Sequence, residues 1–155
     1  MVKDPFIKKS LEVAGENLVL AKLWLMGYVS FLTPRNYPKI DIVAYNPKNN
    51  NRVDIQVKTT EENSFTFGKL TEEDLKTKFK EQYVFVHVSK DRKDIKFFIV
   101  PSDDIPKLIR QEWDRYVKTA KHRKPIAPFE QQSGIILLEQ LKDYENKWKE
   151  NLKLE

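Results

Sequence analysis

The sequence predicts an α/β fold, and three observations carry that prediction. Across its 155 residues the apolar periodicity runs helix, three strands, helix, two strands, helix. Residues 39–59 alternate with a period of two on either side of an asparagine-rich turn, as a β-hairpin does. Residues 83–89 and 95–100 are aromatic and β-branched runs separated by a charged turn. A composition of 40% hydrophobic and 33% charged residues is that of a folded soluble chain and argues against disorder. The length suits a single domain spanning 1–155 with its core at about 10–120.

The first helix is expected at about 10–26. From Leu18 onward it is apolar almost all round, Lys22 excepted, which predicts burial. Glu16 precedes Val19, Leu20 and Leu23 by three, four and seven residues, so its carboxylate lies on an apolar face and needs a partner. Gly27, free to take positive φ, ends the helix. Residues 28–33 read as a strand and 33–38 as a loop stiffened by two prolines. In that loop Arg35, Asn36 and Tyr37 are candidates to meet a phosphate or a base.

In the hairpin, Ile40, Ile42 and Ala44 share one face, and Val53, Ile55 and Val57 share one face of the second strand. Setting Asn46 opposite Asn51 puts Asp41 opposite Gln56, on the face that also carries Lys58. A slip of one residue would separate them. Taken by themselves, these residues also suit the polar face of an ordinary amphipathic hairpin.

Residues 64–67 form a short further strand. Thr71 caps a helix reaching about Lys80, and its Glu72, Glu73 and Asp74 suit the first turn without any metal. His87 alternates with Tyr83 and Phe85 and reads as packing. Ser102 is expected to cap a helix running to about Thr119. Residues 107–124 hold seven basic residues against two acids, a surplus of five equal to the net charge of +5. Lys118, Lys121, Arg123 and Lys124 could follow a phosphate backbone or form a solvated cationic face. A closing helix at about 134–151 carries Leu137, Leu141, Tyr144 and Trp148 as a stripe that packs on the core or on a second subunit.

Residue types narrow the chemistry. With no cysteine, disulfides, thiol catalysis and thiolate metal sites are excluded, and two histidines leave little room for a zinc site. Any metal would be held by oxygen, which suits Mg2+ or Mn2+. No segment resembles a signal peptide or a membrane span, so a cytoplasmic protein is expected.

Pro38-Lys39-Ile40-Asp41 and Gln56-Val57-Lys58 resemble the two motifs of the PD-(D/E)xK nuclease superfamily, the fold of many restriction endonucleases and archaeal Holliday-junction resolvases. The first motif takes the spacing Pro-x-x-Asp, and the second has glutamine in place of the usual acid. Glu16 is similar to the acid many members carry on their first helix. The resemblance covers roughly residues 10–100. It implies a restriction-endonuclease-like core, with a central mixed sheet of about five strands flanked by helices. It also implies divalent-metal-dependent hydrolysis of phosphodiester bonds in DNA, by a possible homodimer. In that scheme Asp41, the Gln56 side-chain oxygen and the Val57 carbonyl bind Mg2+ or Mn2+, and Glu16 holds a second metal or a metal-bound water. Lys58 either orients the water and stabilises charge or acts as base. Because Gln56 brings no charge, the alternative is a catalytically inactive module on the same fold that binds nucleic acid or serves assembly. A third reading, an RNA-cutting toxin using Lys58 and a histidine without metal, has no argument placing a histidine near Lys58.

Overall fold

Asp4 and Pro5 start the first helix earlier than the apolar periodicity indicates. The computed structural model describes residues 4–119 and 126–155, and α1 spans Pro5–Leu25. The Asp4 carboxylate accepts from the Phe6 N–H at 2.9 Å, and proline in the first turn has no N–H to leave unpaired. Gly27 takes φ +84 and turns the chain into the first strand. Burial is narrower than expected: Val19 and Leu23 are buried, whereas Trp24 and Leu25 stay 49% and 84% exposed. One stripe of α1, Gly15, Val19 and Leu23, is buried, while Trp24 meets only the edge of the Phe31 ring among the described aromatic rings.

The α/β expectation is met by a mixed five-stranded sheet flanked by helices. Its strands β1 (Val29–Leu32), β2 (Ile42–Tyr45), β3 (Arg52–Thr60), β5 (Gln82–Val88) and β6 (Ile95–Val100) lie in the order β1-β2-β3-β5-β6. All neighbours are antiparallel except the central pair β3 and β5. A parallel pair requires a crossover. Here it contains β4 (Ser64–Lys69) and α2 (Glu72–Thr77), the latter started by a reciprocal Thr71–Asp74 capping box. One core packs Val19 and Leu23 of α1 with Ile42, Ile55, Val84 and Val86. A second core gathers Phe65, Leu75, Phe85, Phe98, Ile109 and Ile136.

Helix α1 packs tightly on β3 at Gly15. A Cβ there would lie 1.8 Å from Thr59 Oγ1 and 2.9 Å from Thr59 Cβ. Gly15→Ala is therefore expected to destabilise by about 1–3 kcal/mol through overpacking. Scanning calorimetry should register this as about 2–4 °C per kcal/mol. Adding Thr59→Ala should recover part of the loss. It removes the nearer atom, a buried hydroxyl without a hydrogen-bond partner among the described residues, and leaves the Cβ contact.

The closing helix expected at 134–151 is not formed. Ser133–Leu137 is a strand, β7, paired antiparallel with β4; Leu138–Tyr144 is a 3-10 helix; α4 is only Trp148–Leu152. β-Branched Ile135 and Ile136 favour extended backbone, and β4 offers an edge to pair with. The stripe marks burial in part all the same, since Leu141 and Trp148, two of its four residues, are 0% and 3% exposed. The hydrophobic interior thus continues well past residue 120, through Phe129, Ile136, Leu141 and Leu152.

Ser102 opens a 3-10 turn, Ser102–Asp104, and does not cap α3, Ile105–Thr119. Within the basic region Lys107, Arg110 and Arg115 pair with Asp104, Glu72 and Glu112. Part of the cationic surplus is therefore spent within the protein. Among the described residues no helix is long and apolar enough to cross a membrane.

Candidate active cleft

Strand β3 outruns its neighbour. The β2–β3 ladder pairs Ile42 with Ile55 and Tyr45 with Arg52, and the Asp41 N–H extends it by donating to the Ile55 carbonyl at 2.9 Å. In this register Asp41 stands opposite Gln56, as the alternation predicts. Beyond that point β2 has no backbone acceptor for β3, and the Asp41 carboxylate takes over: its Oδ2 accepts from the Val57 N–H at 2.7 Å. The approach to Asp41 is held by the Thr33 N–H, which donates to the Asp41 carbonyl, and by the Thr33 hydroxyl, which donates to Ile40. Lys39 turns the chain at φ +66.

Asp41, Gln56, Val57 and Lys58 line one cleft of about 530 Å³, and Glu16 reaches it from α1. Arg35 and Tyr37 also line it; the exposed Asn36 between them does not. Lys118 is exposed near the end of α3, away from the cleft. Lys121, Arg123 and Lys124 lie outside the described residues. His87, half-buried on β5 in register with Thr60, does not line the cleft, which leaves the metal-free histidine reading without its residue among those described.

Burial pushes the Asp41 carboxyl above its ordinary value, while the Val57 N–H and the Lys58 charge pull the other way. Glu16 is also raised, by burial first and then by repulsion from Asp41. The Lys58 ammonium donates to the Thr66 carbonyl at 3.2 Å and stands 4.6 Å from the centre of the Phe67 ring. Burial lowers its pKa and Asp41 opposes that shift.

The sequence reading missed Glu12, Lys8 and Lys9, which line the same cleft from the first turns of α1. The available signal was the four-residue spacing of Glu12 and Glu16, which puts both on one helix face. A helix started at residue 10 hides Glu12 in its first turn.

Because Asp41 and Glu16 hold their protons more tightly in the folded chain, protonation favours folding. Their contribution is absent at neutral pH, grows as pH falls through the raised folded values, and is complete below the ordinary 3.8 and 4.5. Glu16→Gln should accordingly raise the melting temperature at neutral pH. The gain over the wild type should shrink as thermal unfolding is followed down to about pH 4. A gain that does not change with pH would show that Glu16 ionises freely.

Among the described residues no three His, Cys, Asp or Glu side chains are gathered into a ready metal cage. The cleft offers carboxylate and amide oxygens, and among the described residues the second Asp41 oxygen receives no hydrogen bond. Such a donor set fits a hydrated Mg2+ or Mn2+, which keeps several waters and takes only one or two carboxylates.

No family model and no curated protein matches the chain. Among solved structures, the chain is similar to a Holliday junction resolvase of the archaeal hyperthermophile Archaeoglobus fulgidus. That match has 26% identity over 54% of this chain and 74% of the resolvase, with a TM-score of 0.36. A bacterial homing endonuclease matches at 10% identity over 94% of this chain and 91% of its own, with a TM-score of 0.48.

Proposed function

We propose that the chain is a divalent-metal-dependent nuclease that hydrolyses phosphodiester bonds in DNA. The observation that carries this reading is the hairpin register, which brings Asp41, Gln56 and Lys58 to one cleft at the end of β2, where Glu16 joins them from α1. Asp41, the Gln56 side-chain oxygen and the Val57 carbonyl are the groups that would hold Mg2+ or Mn2+. Bound there, the cation supplies a water made nucleophilic at neutral pH and stabilises charge on the phosphate and the leaving oxygen. Glu16 orients water beside it.

Lys58 acts as a cation. A carbonyl acceptor and an aromatic face both favour the ammonium over the neutral amine, and one N–H given to Thr66 leaves two for a phosphate oxygen. Arg35 and Tyr37 take the DNA at the cleft, Asn36 beside them. Lys118, Lys121, Arg123 and Lys124 neutralise phosphates of the backbone. In this reading the enzyme works in the cytoplasm, and cutting both strands calls for a symmetric dimer.

The test is a cleavage assay on plasmid and on single-stranded DNA with Mg2+, Mn2+ or EDTA, alongside calorimetric titration of Mn2+. Cleavage that requires the metal, with saturable Mn2+ binding, is the expected result. One observation favours a second reading, a catalytically silent nucleic-acid-binding or assembly module: no three acids are gathered among the described residues. DNA binding with neither Mn2+ binding nor cleavage would establish it.

A further inference from the structure

Gln56 leaves the cleft one negative charge short of an acid at that position, and α1 carries an additional acid into the same cleft. Glu12 lies one helical turn before Glu16, lines the cleft with Asp41, and exerts its charge on Asp41, Glu16 and Lys58. Among the described residues it pairs with Lys9, the ammonium 3.4 Å from Oε2 and the two side chains 59% and 39% exposed, an ion pair of small net worth that costs little to give up. We infer that Glu12 supplies the charge that Gln56 does not, acting on the divalent cation through its shell of water rather than as a direct ligand. This inference rests on the metal-dependent reading above.

Two observations and the hydration chemistry of the cation point to the indirect role. Among the described residues no three acids are gathered into a cage, so Glu12, Glu16 and Asp41 are not set to ligate one cation together. Mg2+ and Mn2+ dehydrate reluctantly and leave waters for a second carboxylate to accept from. The Glu12 side chain lines the cleft and is 39% exposed, so such waters can reach its carboxylate.

The experiment is calorimetric titration of Mn2+ into the wild type, Glu12→Gln, Asp54→Asn, Asp41→Ala and the double variant Glu12→Gln/Gln56→Glu. Thermal unfolding shows that each is folded. Asp54 lies on β3 outside the cleft and serves as the control for loss of one charge. Glu12→Gln should weaken Mn2+ by about tenfold, the usual effect of losing an outer-shell carboxylate. Asp54→Asn should change little, and the double variant should return toward the wild type. If Glu12→Gln binds like Asp54→Asn while Asp41→Ala loses binding, the role of Glu12 is overturned and the metal site stands. If the wild type binds no Mn2+, both fall together. A double variant that stays as weak as Glu12→Gln overturns the idea that the two positions trade one charge.

Discussion

Asp41→Ala is expected to remove Mn2+ binding and to lower cleavage by about 10³-fold or more, because a metal contributes several kcal/mol of transition-state stabilisation. The same substitution has a second cost. The Val57 N–H loses its acceptor where β2 has ended, and an unpaired backbone donor costs about 1–3 kcal/mol when it is shielded from water. Asp41→Asn separates the two effects. It retains an oxygen for Val57 and discards a carboxylate whose ionisation burial disfavours, so it should melt at or above the wild-type temperature and still neither bind nor cut. Wild-type cleavage by the asparagine variant would remove Asp41 from the mechanism.

Lys58→Met should leave Mn2+ affinity intact and slow single-turnover cleavage by about 10²–10³-fold, the usual loss when one donor to a developing oxyanion is removed. Lys58→Arg should recover part of the rate, since a guanidinium keeps the charge. A rate unchanged in Lys58→Met, measured at saturating metal, would mean that the ammonium does no more than hold β4. If Lys58 were instead the base, arginine would be as inactive as methionine, because a guanidinium does not deprotonate in proteins.

The hairpin and its register were legible because two signals agree. Alternation fixes which side chains share a face, and asparagines at 46, 49, 50 and 51 mark where the chain turns. That agreement places Asp41 opposite Gln56 without reference to anything distant. The start of α1 was legible in principle from Asp4-Pro5, but the lysines that follow obscure it. The strand β7 was not legible. Leu137 at its end fits the helical stripe that continues through Leu141, Tyr144 and Trp148, and the β4 strand that pairs with it lies some seventy residues away in sequence. The adjacent Ile135 and Ile136 are too short a β-branched run to outweigh that stripe, and a partner at that distance leaves no further local mark. The ion pairs of Arg110 with Glu72 and of Lys107 with Asp104 illustrate the same limit, since charge counts do not say which cations are already matched.

The seat of Lys58 has a consequence for the order of folding. Its ammonium rests on Thr66 and Phe67 of β4, and β4 pairs only with β7 in the smaller sheet. Hairpin contacts close short loops, whereas the β4–β7 pair brings together residues 64 and 137 and must await a far longer closure. The carboxylate end of the cleft is thus expected to assemble from early contacts and the lysine end from late ones. A refolding chain should acquire its affinity for Mn2+ before its ability to cut, with the interval between the two reporting the arrival of β7.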